Sequence, residues 1–249
     1  MKRLLLSASV LLMATGAFAQ TTTMTGSDAR FGIKAGVNLA KFHMGGDDAF
    51  SNSFNDNVKS NVGFNVTAFA DFGVGNNFFI QPGVSLQNKG AKFESTNVVT
   101  AANVTTTTIS SNKASLMTIE VPVNAVFRIP TGDAGAFQIS AGPYIGFNIS
   151  GKNKLESTAT AVNNTNNSSS TVTTSGENDL SFGSAADKDY SSTEFGANFG
   201  LAYRLNSGIS VGANYGLGLS NLTSKDSRSN NNDNKLTNRV LGFSVGYSF

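Results

Sequence analysis

The sequence predicts an all-β fold, an eight-stranded antiparallel transmembrane β-barrel with long extracellular loops and short periplasmic turns. Three observations carry this prediction. Eight stretches alternate apolar with small or polar residues, the gaps between them alternate long and short, and all of them follow one short apolar segment at the N-terminus. Alternation with a period of two marks a strand with one apolar face.

The N-terminal segment comes first. Lys2 and Arg3 precede an apolar run from Leu4 to Phe18, and Ala17-Phe18-Ala19 stands before Gln20. A charged start, a short apolar core and small residues at the end predict a signal peptide over 1–19, cut between Ala19 and Gln20. The run is too short for a membrane helix, which needs about 20 apolar residues. With Gln20 at the start of the mature chain there is no cysteine to carry a lipid. Residues 20–30 then read as a short periplasmic segment, and 31–249 as the barrel domain.

Composition narrows the function classes. Lys2 and Arg3 account for the whole formal charge of +2, so the mature chain is formally neutral. It lacks the basic footprint of a nucleic-acid-binding protein. Cysteine is absent, which removes disulfides and thiolate chemistry.

The strands fall at about 31–42, 60–72, 77–90, 114–129, 136–150, 192–205, 208–221 and 238–249. In the last, Leu241, Phe243, Val245, Tyr247 and Phe249 share one face, while Gly242, Ser244, Gly246 and Ser248 share the other. The long gaps cover 43–59, 91–113, 151–191 and 222–237; the short ones are turns near Gly73–Asn76, Pro130–Gly135 and Asn206–Ser207. Strict alternation puts every long loop at one end, as in transmembrane barrels. Phe31, Phe72, Phe78, Phe127, Phe137, Tyr203, Tyr247 and Phe249 lie near the short-turn ends on apolar faces. Rings at that level predict an aromatic girdle at the periplasmic boundary of the bilayer. In a soluble barrel the same faces would be large exposed apolar patches.

With the pattern laid out, a family resemblance becomes visible. Phe31-Gly-Ile-Lys-Ala-Gly-Val-Asn-Leu-Ala40 resembles the opening strand of the small outer-membrane β-barrel proteins of Bacteroidetes known as PorT-like. Phe79-Ile-Gln-Pro-Gly-Val-Ser-Leu-Gln-Asn-Lys-Gly90 is similar to their third strand, and Ile119-Glu-Val-Pro-Val123 to the signature of their fourth. The resemblance implies location and architecture and brings no catalytic residues. The family name implies an accessory role in secretion as one reading. Phe249 is similar to the terminal signal read by the outer-membrane assembly machinery, which would then be a partner along with outer-membrane lipid.

The candidate site residues are inward-facing charges: Lys34, Asp71, Glu120, Arg128, Glu194 and Arg204. One reading makes them a filter for small solutes. The favoured one is a structural network filling a narrow lumen, because eight strands leave room only for side chains. Glu120 has three candidate partners, Arg128, Lys34 and Lys89, and Lys34 and Asp71 are near enough on neighbouring strands to meet. Pro122 lacks an N–H and predicts a bulge or a weakened ladder.

His43, beside Asp47 and Asp48, is the one histidine. A lone histidine with no oriented nucleophile is thin ground for catalysis, and a metal would need more ligands. No catalytic, metal or cofactor site is predicted. The Asn/Ser/Thr tracts Ala161–Ser175 and Ser229–Asn234 read as solvated loops without order. Loops on a rigid scaffold are where an extracellular ligand would bind. The expected function is thus a monomeric outer-membrane protein of structural or surface-interaction type, with a narrow solute channel as the alternative. One expectation is directly measurable: the intact mass of the membrane-inserted protein corresponds to a chain starting at Gln20, and Ala19→Asp leaves the precursor uncut.

Overall fold

The computed structural model describes residues 29–228 and 235–249. Among the described residues there are nine strands: β1 (Arg30–Met44), β2 (Val58–Gly75), β3 (Phe78–Ala101), β4 (Val104–Pro130), β5 (Gly135–Asn163), β6 (Ser169–Asp179), β7 (Thr193–Leu205), β8 (Ile209–Gly218) and β9 (Leu236–Ser248). One α-helix, α1 (Ala49–Asn57), follows β1. The predicted signal peptide with its Ala19–Gln20 site lies outside the described residues. So does nearly all of the 20–30 segment, whose end Arg30 already belongs to β1.

Eight strands form a closed antiparallel ring in the order β1-β2-β3-β4-β5-β7-β8-β9. The seam is β1 against β9, with Gly32 opposite Ser248 at one end and Met44 opposite Leu236 at the other. Past the last ladder pair, the Phe249 N–H donates to the Phe31 carbonyl at 2.8 Å. Closure matters because hydrocarbon offers no partner for a backbone N–H or C=O, so an open edge could not stand in a bilayer. No helix among the described residues is long and apolar enough to cross a membrane.

The outward wall is apolar from the short-turn end up to a row of cations near the long loops. Val37 is 52% exposed, Phe243 47% and Leu201 64%, values that make sense only where the surrounding medium is itself apolar. At the short-turn end Phe78 stands opposite Phe127 and Phe137 opposite Tyr203. The Phe137 and Tyr203 rings meet edge-on at 4.9 Å, and Tyr247 and Phe249 at 5.2 Å. Phe31 and Phe72 complete the same belt on β1 and β2. The turns there are tight: Gly75 pairs with Phe78 across Asn76-Asn77, and Asn77 takes φ 62°, which asparagine tolerates.

The long-loop end departs from expectation in three places. The 91–113 gap is a hairpin: β3 and β4 stay paired until Ala101 faces Val104 across a two-residue turn. The Asn/Ser/Thr tract at 161–175 is ordered as well, since β5 runs on to Asn163 and β6 pairs with it from Lys152–Asp179 to Val162–Ser169. Strand order here needs no apolar core. The ladder itself satisfies the backbone, and threonine suits a strand and pairs across it, as Thr158 does with Thr173 at 3.1 Å and Thr160 with Thr171 at 3.1 Å. Thirdly, the 43–59 gap contains α1, whose N-cap Asp48 accepts from the Ser51 N–H at 2.7 Å. The second polar tract, Ser229–Asn234, lies outside the described residues.

Pro122 breaks the ladder without a bulge. Pairing of β3 with β4 lapses between Pro82–Val123 and Ser85–Glu120, and the register is the same on both sides of the gap. True bulges occur elsewhere, including one in β2 between Ser60 and Asn65.

If lipid is the solvent of the outer wall, Val37→Arg at mid-height destabilises the folded barrel by about 2–4 kcal/mol, the cost of a cation at the midplane. Urea unfolding in lipid vesicles measures it; a neutral effect, as for an exposed residue in water, would be wrong for a membrane wall.

Candidate functional site

Inside the ring, charged side chains meet in two separate clusters. The upper one is built on a single row of three strands. Glu120 on β4 faces Gly146 on β5, and Gly146 faces Glu194 on β7, all directed inward. A Cβ on Gly146 would sit 2.9 Å from Glu194 Cγ and 3.1 Å from Thr118 Cγ2. The missing side chain is what lets two carboxylates share the space. Lys89 on β3 reaches between them and forms an ion pair with each. Its ammonium also stands 4.9 Å from the centre of the Tyr144 ring, and Asn238 Nδ2 donates to Glu194 Oε2 at 2.7 Å. Lys89, Glu120 and Glu194 are each no more than 3% exposed.

Local backbone explains why Lys89 points there. The β2 bulge lies directly opposite Asn88–Gly90, and bulges re-aim the neighbouring side chains. Gly90 has φ 133° and approaches Ala114 so closely that a Cβ would be 2.0 Å from its carbonyl oxygen. Only glycine allows that approach.

The lower cluster sits near the short turns. Asp71 pairs with Arg128 and accepts from Gln81 Nε2 at 2.7 Å, and the Arg128 guanidinium lies 3.9 Å over the Phe79 ring. Lys34 does not take Asp71 as its direct partner; its ammonium is 5.8 Å from the Phe69 ring centre. Arg204 stands beside Arg128 and Arg30, with Asp71 near enough to act on it electrostatically. The six charges singled out from the sequence therefore divide between two clusters. The residue that joins the upper one, Lys89, was only a candidate partner. Its inward parity with Gln81, Ser85 and Gln87 was the signal that could have placed it.

Above the upper cluster the barrel is closed by an apolar cap. Phe42, Val58, Ala91, Ala114, Leu116 and Leu222 are buried together, with Phe54 of α1 and Phe182 and Tyr190 of the β6–β7 connection packed against them. Phe42 meets Tyr190 at 5.6 Å and Phe54 meets Phe93 at 5.0 Å. The connection is pinned by Asp189, whose carboxylate accepts from the Ser181 N–H at 2.7 Å and its hydroxyl at 2.8 Å. Those two bonds hold the Asp189 carboxyl below its usual range, while burial pushes the Tyr190 hydroxyl up to about 12. A cavity of about 60 Å³ lies in the lumen below the upper cluster, lined by Lys34, Gln81, Gln138 and Asn214 among others.

Beyond the cap, β3, β4, β5 and β6 continue as a four-stranded sheet. An open groove of about 610 Å³ crosses it, lined by Phe93, Asn112, Leu155 and Gly176 in one row and Ser110 and Ser157 in the next. The His43 imidazole is hydrogen-bonded with Asn55 and feels the charges of Arg239 and Lys41, and neighbouring Asp48 is the α1 cap. Among the described residues no group of three or more His, Cys, Asp or Glu side chains converges as a metal site would require.

A closed, apolar-walled ring with a filled polar lumen defines a membrane β-barrel protein. The family model for the outer membrane protein beta-barrel domain matches residues 5–249, and the chain belongs to that family. No curated protein matches the sequence. Among solved structures the chain is similar to Ail of Yersinia pestis in complex with the heparin analogue sucrose octasulfate, at 13% identity over 89% of this chain and 99% of that one, with a TM-score of 0.37. It is similar to neisserial surface protein A at 14% identity over 89% and 99%, TM-score 0.36. With Acinetobacter baumannii CarO the identity is 14% over 86% and 97%, TM-score 0.31.

The Lys89 site makes a sharp energetic prediction. Removing one partner of a buried ion network costs about 3–5 kcal/mol, whereas replacing the whole network by neutral groups of like size costs far less. Lys89→Met should therefore lose about that much in urea unfolding, and Lys89→Met/Glu120→Gln/Glu194→Gln should recover most of it.

Proposed function

We propose that this chain is a surface-interaction protein of the outer membrane, acting through its extracellular sheet and loops and catalysing nothing. One observation carries the reading: the strands run on past the bilayer into an ordered, grooved sheet, while the lumen beneath is filled and capped. A protein whose task was passage would keep its interior open. About 60 Å³ holds on the order of two water molecules, and the Lys89 network bars the way to charged solutes. The groove, by contrast, joins two apolar side chains, Phe93 and Leu155, to serine, threonine and asparagine and to the carboxylates Glu94 and Glu156. That mixture suits a polar ligand with one apolar face, held by a few directed hydrogen bonds.

In the same reading the chain is exported by its N-terminal signal, inserted by the assembly machinery through its last strand, and monomeric. Kinship with the PorT-like proteins, and with it an accessory part in secretion, rests on the short strand motifs alone.

Two measurements test the proposal. In planar bilayers the purified barrel gives no reproducible single-channel conductance; stable current steps would reinstate the channel. On arrays of glycans and extracellular proteins the intact barrel binds a ligand. A Leu155→Asp/Ser157→Arg replacement, which changes two side chains lining the groove, loses that binding, with the folded, heat-modifiable gel band unchanged. Binding that survives the replacement would place the active surface elsewhere.

A further inference from the structure

The outward wall changes character abruptly at its extracellular margin. Below that margin no charged side chain points to lipid on any barrel strand among the described residues. Moving up each strand, the first outward charge is Lys41 on β1, Lys59 on β2, Lys92 on β3, Lys113 on β4, Lys152 on β5 and Arg239 on β9. β7 and β8 carry no outward charge. Six strands of the ring thus meet the margin with a cation and none with a carboxylate.

These cations also face one another. Lys41 is opposite Arg239, and Lys59, Lys92, Lys113 and Lys154 stand directly across from each other on four successive strands. Like charges in directly opposed pairs repel, so an uncompensated row of this kind is unfavourable by itself. Carboxylates answer part of it, some farther from the apolar wall and some level with the lysines. Glu94, two residues beyond Lys92, pairs with Lys59 and Lys92, and Glu177, opposite Lys154, bridges Lys152 and Lys154. The two lysine hydrogen bonds hold the Glu94 carboxyl down at about 2. Glu156 lies beyond Lys154, and Asp179 stands level with Lys152. Lys41, Lys113 and Arg239 have no ion pair among the described residues, so the side nearest the bilayer is left positive.

Height fits a headgroup layer. Lys41 lies ten residues above Phe31 in the girdle, a climb of about 25 Å at roughly 3.3 Å per residue and 40° tilt, the depth of the apolar band. The cations on β2 to β5 stand 13 to 15 residues from the girdle rings of their own strands and form a higher tier above Lys41 and Arg239. The periplasmic end has no counterpart, its turns offering Asn76, Asn77, Asp133 and Asn206.

We infer that this basic ring is a binding surface for phosphorylated glycolipid headgroups of the outer leaflet, which the barrel holds as an anionic collar. Lys41 directly opposite Arg239, and Lys113 between Lys92 and Lys154, carry no ion pair among the described residues and stand at one margin only, which phosphates lying against them would answer. The reading concerns the outer wall and is independent of what the groove binds.

The test uses the full barrel in phosphatidylcholine nanodiscs containing diphosphorylated lipid A or the same lipid after phosphatase treatment, with retained lipid counted by native mass spectrometry. Phosphorylated lipid A is retained at least tenfold more than the dephosphorylated form, and Lys41→Gln/Lys92→Gln/Lys113→Gln abolishes the preference while keeping the heat-modifiable band. The comparison of the two lipids needs no variant, so it decides even if the triple substitution fails to insert; Lys113→Gln alone then provides the graded case. Equal retention of both lipids would overturn the inference. So would a wild-type barrel that gives up lipid A to a soluble sulfated oligosaccharide at equal phosphate and sulfate concentration, which would make the ring a site for soluble polyanions.

Discussion

Everything in this protein follows from the need to pair every backbone N–H and C=O in a solvent that pairs with none. In hydrocarbon an unsatisfied peptide group costs several kcal/mol, so the sheet must close, and the closing seam is the first strand against the last. The β1–β9 register, from Gly32–Ser248 to Met44–Leu236, joins residues more than 190 positions apart. Once it forms, side-chain orientation has no freedom left. Odd-numbered β1 residues such as Val37 must face lipid, and even-numbered ones such as Asn38 must face the lumen, where Asn38 accepts from Asn65 at 2.7 Å and donates to Gln87 at 2.7 Å.

Closure at eight strands creates a second problem, a narrow interior that water fills poorly and that polar side chains must fill for themselves. The solution here is layered. Arg128 and Asp71 close the periplasmic half, Lys89 with its two carboxylates closes the middle, and a wholly apolar cap closes the top. The cap is the nearest thing to a conventional hydrophobic core, and burial of Phe42 and Leu116 within it contributes about 1.5–3 kcal/mol each. Its parts come from α1, from the β6–β7 connection and from Leu222, so the loops are tied to the barrel mouth. The extracellular groove therefore rests on a rigid base, which is the arrangement that lets loops bind selectively.

Beyond the membrane the constraint relaxes, yet the ladder persists. Water could satisfy the backbone of 94–110 and 157–175, but strands already aligned by the barrel extend at little further entropic cost, because each new pair adds to an existing register. Threonine and serine on both faces suit a sheet wet on both sides. The same extension carries the lysine row up from the lipid wall, so the collar and the groove are opposite faces of one sheet.

Fold class, barrel-strand positions and the sorting of long and short connections were legible from periodicity and gap lengths, because the bilayer imposes a strict alternation that any reader of the chain can count. The inward parity of Asp71, Glu120, Arg128 and Glu194 was legible for the same reason. What parity does not contain is the angular position of one strand around the ring relative to another. Hence the partner of Glu120 stayed open among three cations, the approach of Lys34 to Asp71 could be read but not its failure to become an ion pair, and the bridge that Lys89 makes between β4 and β7 was not visible. The order of the polar tract at 161–175 was missed because its composition argues only about burial, while its structure comes from hydrogen bonds to a strand that begins inside the barrel. Chain periodicity settled which side of the wall each residue faces; only ring closure and the bulge beside Lys89 decided which residues meet across the lumen, because contacts such as Lys89–Glu194 and Asp71–Arg128 join strands that are not consecutive in the chain.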